Sequence, residues 1–486
     1  MKVTVLTNEL IVPSSPTPSY LKIYKFSFID QQIPPYYIPI ILYYSLDKSA
    51  TTTQSEITIK LKTSLSKTLT HFYPLAGRLT HDRNAVNCTD QGVQFSVTRV
   101  ESNLEDMIKS LKIKVLNKLV KVETSYVEEQ LAIQVNLFDC GGIAVGVSMS
   151  HRIGDACSIS SFVSHWFALA KGSETPFLSP VLDSAVLFPP MGSCEFSRNP
   201  KDPAISVPFE TLVTKRFMFG SLAINQLKDK VVKDHNTPVN PTRVEVVTAL
   251  IWKCGAMALG DCKVSVAFHS INLRRKMVPC LQDHQFGNLF QLANALAHQT
   301  DSMASRVMKL KDSFSKIDIA YLTSLTRDKG KDNFKEIGKC MNQEGVGVFK
   351  FGSWCRFSFN EGDFGWGKPV WVSSANFSDE NSIVLMDSTK DVDGIEAWIV
   401  MNKENMKKFE QIDELQEFVG SVTEAGFLLH HHRKQTWLAI RRRFRMPEGF
   451  QSEPDERNPG LSDPVAVVDA SASVPVETWM EIFGCR

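Results

Sequence analysis

Residues 143–155 read Ile143-Ala144-Val145-Gly146-Val147-Ser148-Met149-Ser150-His151-Arg152-Ile153-Gly154-Asp155, and the hydrophobic period changes at their end. Ile143, Val145, Val147 and Met149 alternate as one face of a strand, and His151 is the next residue in that register. From Ser158 onward Ile159, Phe162, Val163, Trp166 and Phe167 recur at helical spacing, so a helix begins just past Asp155. Upstream, Leu131, Ile133, Val135 and Leu137 alternate in the same way, and Asp139-Cys140-Gly141-Gly142 supplies the turn between the two strands. Strand, turn, strand and helix in succession predict an α/β protein. A histidine stands where sheet gives way to helix.

The same alternation of elements extends in both directions. Leu61, Leu65 and Leu69 predict a helix over Glu56–Phe72, stopped by Tyr73-Pro74. Pro176, Pro180, Pro189, Pro190, Pro200, Pro203 and Pro208 break helix and strand alike, so residues 176–213 read as an extended, proline-rich crossover. Beyond it Lys215–Phe219 reads as a strand. Thr242-Arg243-Val244-Glu245 has the form of a capping box ahead of Val247, Leu250, Ile251 and Cys254 on one helical face, and Val264–Ile271 reads as a strand again. No short-period repeat is present. The expected organisation is one domain over residues 1–175, the crossover, and a second domain over residues 214–425. Residues 426–486 differ in character: His430-His431-His432 precedes Arg433, Lys434, Arg441, Arg442, Arg443 and Arg445 with no acidic residue among them. This stretch reads as a poorly ordered basic extension, with a membrane or nucleic-acid patch as the rival reading. Adjacent histidines do not readily converge on one ion, so no metal site is expected there.

Composition narrows the functional classes. The chain has 486 residues, 43% hydrophobic and 22% charged, which suits a two-domain globular protein and excludes a disordered or fibrous one. Lys and Arg number 54 against 53 Asp and Glu, so there is no general attraction to nucleic acid or to an anionic membrane. The ten cysteines show no C-x-x-C and no metal-ligand spacing, as expected for reduced thiols in a cytoplasmic protein. Met1–Asn8 lacks the pattern of a secretory signal, and the apolar run Ile33–Tyr44 is too short, and too interrupted by Pro34, Pro35 and Pro39, to span a bilayer.

His151 and Asp155 form the constellation with chemistry in it. H-x-x-x-D alone is poor evidence, because eleven histidines make chance matches common. Its placement adds weight: an imidazole at a strand end can face a cleft, and Gly154 in the following turn leaves room for a ligand. Histidine is the natural general base near neutral pH. Asp155 could orient the imidazole, hold the turn through an arginine, or simply cap the helix, and the sequence leaves these open. Asp363-Phe364-Gly365-Trp366-Gly367-Lys368-Pro369 is far more specific as a string, yet its own chemistry is structural: glycines for tight turns and two aromatics that need burial. Its D-F-G is not a kinase element, because the Gly-rich loop and H-R-D signature are missing.

H-R-I-G-D at 151–155 followed by D-F-G-W-G-K-P at 363–369 resembles the BAHD acyltransferases of plants. Tyr73-Pro74-Leu75-Ala76-Gly77-Arg78-Leu79 is similar to the family's early Y-P-x-A-G-R element. Asn272-Leu273-Arg274 is similar to its N-x-R, and Phe286-Gly287-Asn288 to its F-G-N. The opening, Ile11–Pro18, is similar to the alkaloid and alcohol acyltransferase branch. The resemblance covers residues 1–425; family members usually end near Glu417-Phe418, and an appended extension or an error of the gene model would each account for the rest.

The resemblance implies two chloramphenicol-acetyltransferase-like domains of mixed sheet and helices, with a channel between them that admits acyl-CoA from one side and the acceptor from the other. It implies His151 as general base, with Gly154 in the catalytic turn. Asp155 would turn away to pair with Arg274, beside Asn272. Asp363, Phe364, Gly365, Trp366 and Gly367 would sit away from the chemistry and support the fold or the CoA-side geometry. Trp354, in Gly352-Ser353-Trp354-x-Arg356, would offer its indole N–H to the oxyanion. It further implies a monomer with acetyl-CoA as co-substrate, no permanent cofactor, and a small-molecule alcohol as acceptor. The residues that hold CoA are not assigned. Two rivals stay open: a covalent route through Cys157, and a catalytically silent homologue that binds a metabolite or a partner protein.

Overall fold

The computed structural model describes residues 1–46, 53–109, 113–122, 128–172, 179–190, 211–234, 239–260, 262–325, 345–375 and 379–420. The basic tail expected beyond residue 425, and most of the crossover, lie outside the described residues. Two six-stranded mixed sheets carry the fold. In the first, Lys2–Ile11, Val93–Glu101, Leu131–Phe138, Ile143–Ser150, Tyr37–Tyr44 and Trp371–Ser374 lie in that order, with only Val93–Glu101 and Leu131–Phe138 parallel. In the second the order is Phe290–His298, Val264–Asn272, Val346–Ser353, Ser382–Asp387, Ile395–Asn402 and Leu212–Phe219, parallel through the three strands 264–272, 346–353 and 382–387. A three-stranded sheet, Ile23–Lys25, Ala85–Asn87 and Arg78–Leu79, completes the first half. The expected α/β fold of mixed sheets and helices is present.

Local sequence accounts for the helices that flank the sheets. Gln54–His71 opens on a capping box in which Glu56 accepts the Thr53 N–H at 2.7 Å and Thr53 Oγ1 accepts that of Glu56 at 3.2 Å. Its Leu61, Leu65 and Leu69 are fully buried, each such side chain contributing about 1.5–3 kcal/mol. It packs on Ala156–Ala170, where Trp166 Nε1 donates to Ser64 Oγ at 2.9 Å. In the second half, Arg243–Leu259 opens on the capping box expected at Thr242 and Glu245 and buries Trp252 beside the Ser221–Asp234 and Met303–Ser315 helices.

Ile143–Ser150 is buried on both faces, with Leu119 and Val120 covering the second. Gly146 admits them: a Cβ there would lie 2.5 Å from the Leu119 carbonyl oxygen. Two differences from the sequence expectation have physical reasons. The crossover is not extended throughout, since Ser184–Leu187, between Pro180 and Pro189, forms a helical turn, and Val181 bridges Gln285. Finally, the strand Trp371–Ser374 from the second half of the chain completes the first sheet. Trp371 stacks on Tyr43 at 4.8 Å, carries the Arg216 guanidinium 4.9 Å from its own ring, and donates Nε1–H to buried Glu396 at 3.2 Å. Arg216 and Glu396 belong to the second sheet, so this cluster ties the two sheets together.

Candidate active site

His151 follows the last residue of Ile143–Ser150, and its backbone N–H continues the pairing by donating to Tyr36 O at 2.8 Å. The ring is half-buried between Tyr36, edge-on at 5.5 Å, and Phe290, at 5.8 Å. Nδ1 lies 3.1 Å from Oδ1 of Asn288. The amide's other end fixes which way it faces. Asn288 Nδ2 is within 2.7 Å of His151 O, 2.8 Å of Asp30 Oδ1 and 3.2 Å of Arg152 O, all acceptors. Oδ1 is therefore the atom that faces the ring, and Nδ1 must carry the hydrogen. In the neutral imidazole the lone pair is then on Nε2. Burial pulls the His151 pKa below its ordinary value, against the hydrogen bonds to the ring and the charge of Asp155, so the neutral form prevails at pH 7.

Asp155 caps the helix Ala156–Ala170, accepting the Ser158 N–H on Oδ1 at 2.9 Å. It also accepts the Leu289 N–H at 3.0 Å and two bonds from Arg274, at 2.8 and 3.1 Å. Those four donors occupy the carboxylate, and none of them is the imidazole. Of the roles left open by the sequence, the geometry gives Asp155 the cap and the arginine pair together. Burial pushes the Asp155 carboxyl up, but the Arg274 charge and the hydrogen bonds outweigh it and hold it below the usual range. Arg274 is fully buried; Asn272 accepts its N–H at 3.0 Å and a guanidinium bond at 3.3 Å, while Gln285 O and Gly287 O take the remaining donors. Gly154 is packed closely against the helix that Asp155 caps. A Cβ there would meet Ser158 Cβ at 2.8 Å, and Ser158 Oγ spends its hydrogen bonds on the N–H and carbonyl of Gly287.

Asp363 to Gly367 lie apart from the imidazole. Asp363 pairs with Lys171 at 2.9 Å and accepts the N–H groups of Gly365 and Gly367 at 2.7 and 2.9 Å. Both glycines have positive φ, +103° and +104°. Phe364 is fully buried edge-on to Phe167 at 4.6 Å and Trp166 at 4.9 Å, and Trp366 packs on Tyr44 beneath the Lys60 ammonium. The segment thus braces the helix that Asp155 caps. The Trp354 ring lies 6.0 Å from Phe359, and no hydrogen bond or ring contact among the described residues joins it to His151. Cys157 Sγ donates to Asp283 O at 3.6 Å, and burial pushes the thiol up to about 12, opposite to what a thiolate nucleophile needs.

Asn288 and Asp30 are the residues that sequence reasoning did not assign. Signals for both were present, in the F-G-N element and in Ser27-Phe28-Ile29-Asp30, a capping-box pattern. A cavity of about 470 Å³ lies along Ala156–Ala170, lined among others by Cys157, Ser160, Ser164, His284 and Arg356; His151 is not among its lining residues.

Strand ends of two mixed sheets meet at His151, at the motif on which the sequence resembles the BAHD acyltransferases. The chain belongs to that family: residues 1–416 match the model described as the Transferase family. Stemmadenine O-acetyltransferase of Catharanthus roseus is 36% identical over 418 residues, covering 83% of this chain and 94% of that one. Vinorine synthase of Rauvolfia serpentina is 34% identical over 417 residues, 82% of this chain and 94% of that one. Its crystal structure superposes with a TM-score of 0.75, covering 86% of this chain and 99% of that one. A crystal structure of F. sporotrichioides TRI101, complexed with coenzyme A and T-2, matches at a TM-score of 0.67 and 15% identity over 82% of this chain and 99% of that one, a likeness of fold alone. The chain is an acyltransferase.

Proposed function

We propose that this acyltransferase moves an acetyl group from acetyl-CoA to a hydroxyl of a plant specialised metabolite, an alkaloid or terpenoid alcohol, with His151 as general base in a ternary complex. The observation that carries the reading is the Asn288 contact, which leaves Nε2 of a half-buried, neutral imidazole as the proton acceptor. Nε2 takes the hydroxyl proton as the acceptor oxygen attacks the thioester carbonyl. The tetrahedral intermediate collapses with cleavage of the C–S bond, and the imidazolium returns the proton to the departing thiolate, giving the acetyl ester and CoA thiol. Atoms and protons balance with the two substrates and one side chain. Asp155 and Arg274 act as the fixed floor of the turn. They touch neither substrate nor proton.

The acetyl group and the class of acceptor follow the names of the relatives. On this reading residues 1–175, completed by the strand Trp371–Ser374, and the remainder of 214–425 form two lobes, joined by 176–213, and the substrates meet between them at His151. Among the described residues no helix is long and apolar enough to cross a membrane, and a cytoplasmic monomer without nucleic-acid partners is the form proposed. The test is incubation of the full chain with acetyl-CoA and a panel of alkaloid and terpenoid alcohols, following thiol release and the ester by mass spectrometry. Turnover is expected with at least one alcohol and is lost in His151→Ala, by about 10²–10⁴-fold. Binding of CoA without thiol release on any acceptor would favour a silent homologue, and a fully active His151→Ala would remove the base.

A further inference from the structure

The carboxylate of Asp30 is fully buried, which pushes its pKa up, and five hydrogen-bond donors converge on it and oppose that rise. Ser27 supplies its N–H at 2.8 Å and Oγ at 2.7 Å, and Ser184, from the crossover, its Oγ at 3.2 Å, all to Oδ2. Oδ1 takes the N–H and the Nδ2 of Asn288, at 2.9 and 2.8 Å, from 258 residues further along the chain. A capping box for the short helix Phe28–Gln32 requires only the Ser27 contacts. The Asn288 contacts serve something else.

Asn288 is the residue that meets His151. Turning its amide over would set Oδ1 against a carboxylate and two carbonyls and would bring Nδ2 to the imidazole Nδ1. Of those three oppositions the one at the carboxylate is the most costly, because a charged acceptor binds its donor about twice as strongly as a neutral one. We propose that Asp30 is a positioning residue for the transfer reaction: it fixes the Asn288 amide with Oδ1 toward the imidazole and places a negative charge one amide behind His151. The inference rests on the reading of His151 as the base. In that arrangement Asp30, which touches no substrate, favours the imidazolium that forms when the acceptor proton arrives.

Among the described residues, other ionisable groups also face this chain of contacts. Tyr36 lies against the imidazole, Arg152 donates to the carbonyls of Ile33 and Gln31, Asp155 is paired with Arg274 and adds its own charge near the ring, Tyr24 reaches Asp30 through Ser184, and Asp183 accepts from Gln285. Asp30 is the anion in that set whose donors lead directly to the His151 ring.

The experiment compares wild type with Asp30→Asn in the full chain, with ¹³C-labelled histidines. The His151 signal is assigned by its loss in His151→Ala and titrated by NMR. The His151 pKa is expected to fall by about half a unit or more in Asp30→Asn. With acetyl-CoA and the alcohol found by the screen above, kcat should fall by about 10- to 100-fold while KM for acetyl-CoA moves less than about twofold, and the acid limb of kcat/KM should shift to lower pH. A folded Asp30→Asn whose His151 titration is unchanged overturns the proposal. Should that variant not fold, Asn288→Ala cuts the same connection with Asp30 in place. It must lower the His151 pKa too, and an unchanged titration is again a refutation. The titration needs no turnover, so an active His151→Ala would sink the general-base reading while leaving this test intact.

Discussion

Replacing Asp155 with alanine is the perturbation whose cost the structure fixes most closely. The side chain is 10% exposed and its partner Arg274 is 0% exposed. Removing one member of such a buried pair costs about 3–5 kcal/mol, because the remaining charge stays desolvated. Loss of the cap on Ala156–Ala170 adds about 1 kcal/mol, and the orphaned Leu289 N–H about 1–3 kcal/mol. These penalties overlap at one carboxylate, so about 4–6 kcal/mol is expected, a large part of the roughly 5–15 kcal/mol that holds a typical protein folded. Urea unfolding followed by tryptophan fluorescence measures it as a lowered midpoint. Asp155→Ala combined with Arg274→Met removes both charges and should recover at least about 2 kcal/mol of the loss. Turnover per folded molecule should stay measurable in Asp155→Asn, because the carboxylate does not touch the imidazole. Two results refute the reasoning: an Asp155→Ala protein within about 1 kcal/mol of wild type, or a fully folded Asp155→Asn as inactive as His151→Ala.

Other expectations are narrower. The acid limb of kcat/KM, read from a pH–rate profile, should fall below about pH 6.5, since burial depresses the His151 pKa; a limb at higher pH contradicts the site geometry. The Asp155 carboxyl titrates below its unfolded value, so the stability it brings is present above about pH 4 and lost as pH falls through the folded pKa; the urea midpoints of wild type and Asp155→Asn should therefore converge on acidification. Phe364→Ala should cost about 3–5 kcal/mol by calorimetry or urea, with KM for acetyl-CoA unchanged in the folded fraction. Cys157→Ala should keep kcat within about twofold; an acyl group trapped on the wild-type thiol would mean a covalent intermediate.

Much of the fold could be read from periodicity because its elements are locally consistent. The capping box at Thr242, the alternation through 131–150 and the helical spacing after Asp155 each bury what they promise. The site was legible only in part. His151 stood out by residue type and register, whereas the F-G-N element and the capping pattern that mark Asn288 and Asp30 do not point to a shared site: an amide and a capping carboxylate gain that meaning only when residues 258 apart are brought to hydrogen-bonding distance. The packing of Gly154 was not legible, because its close neighbour Ser158 is a turn further along a helix whose inward face the sequence does not specify. Trp354 followed a motif, and motif position carries no information about where an indole points.

The strand Trp371–Ser374 gives the protein a property that neither half possesses alone. A fragment ending in the crossover would expose the edge formed by Tyr37–Tyr44, an apolar ladder with its amides bare, and would be prone to aggregate. It would also leave its histidine without the amide that orients it. Gene fission at the linker could therefore yield a working enzyme only if both pieces were made together and reassembled. Duplication or swapping of the first lobe alone would likewise leave its sheet without the strand that the second half donates.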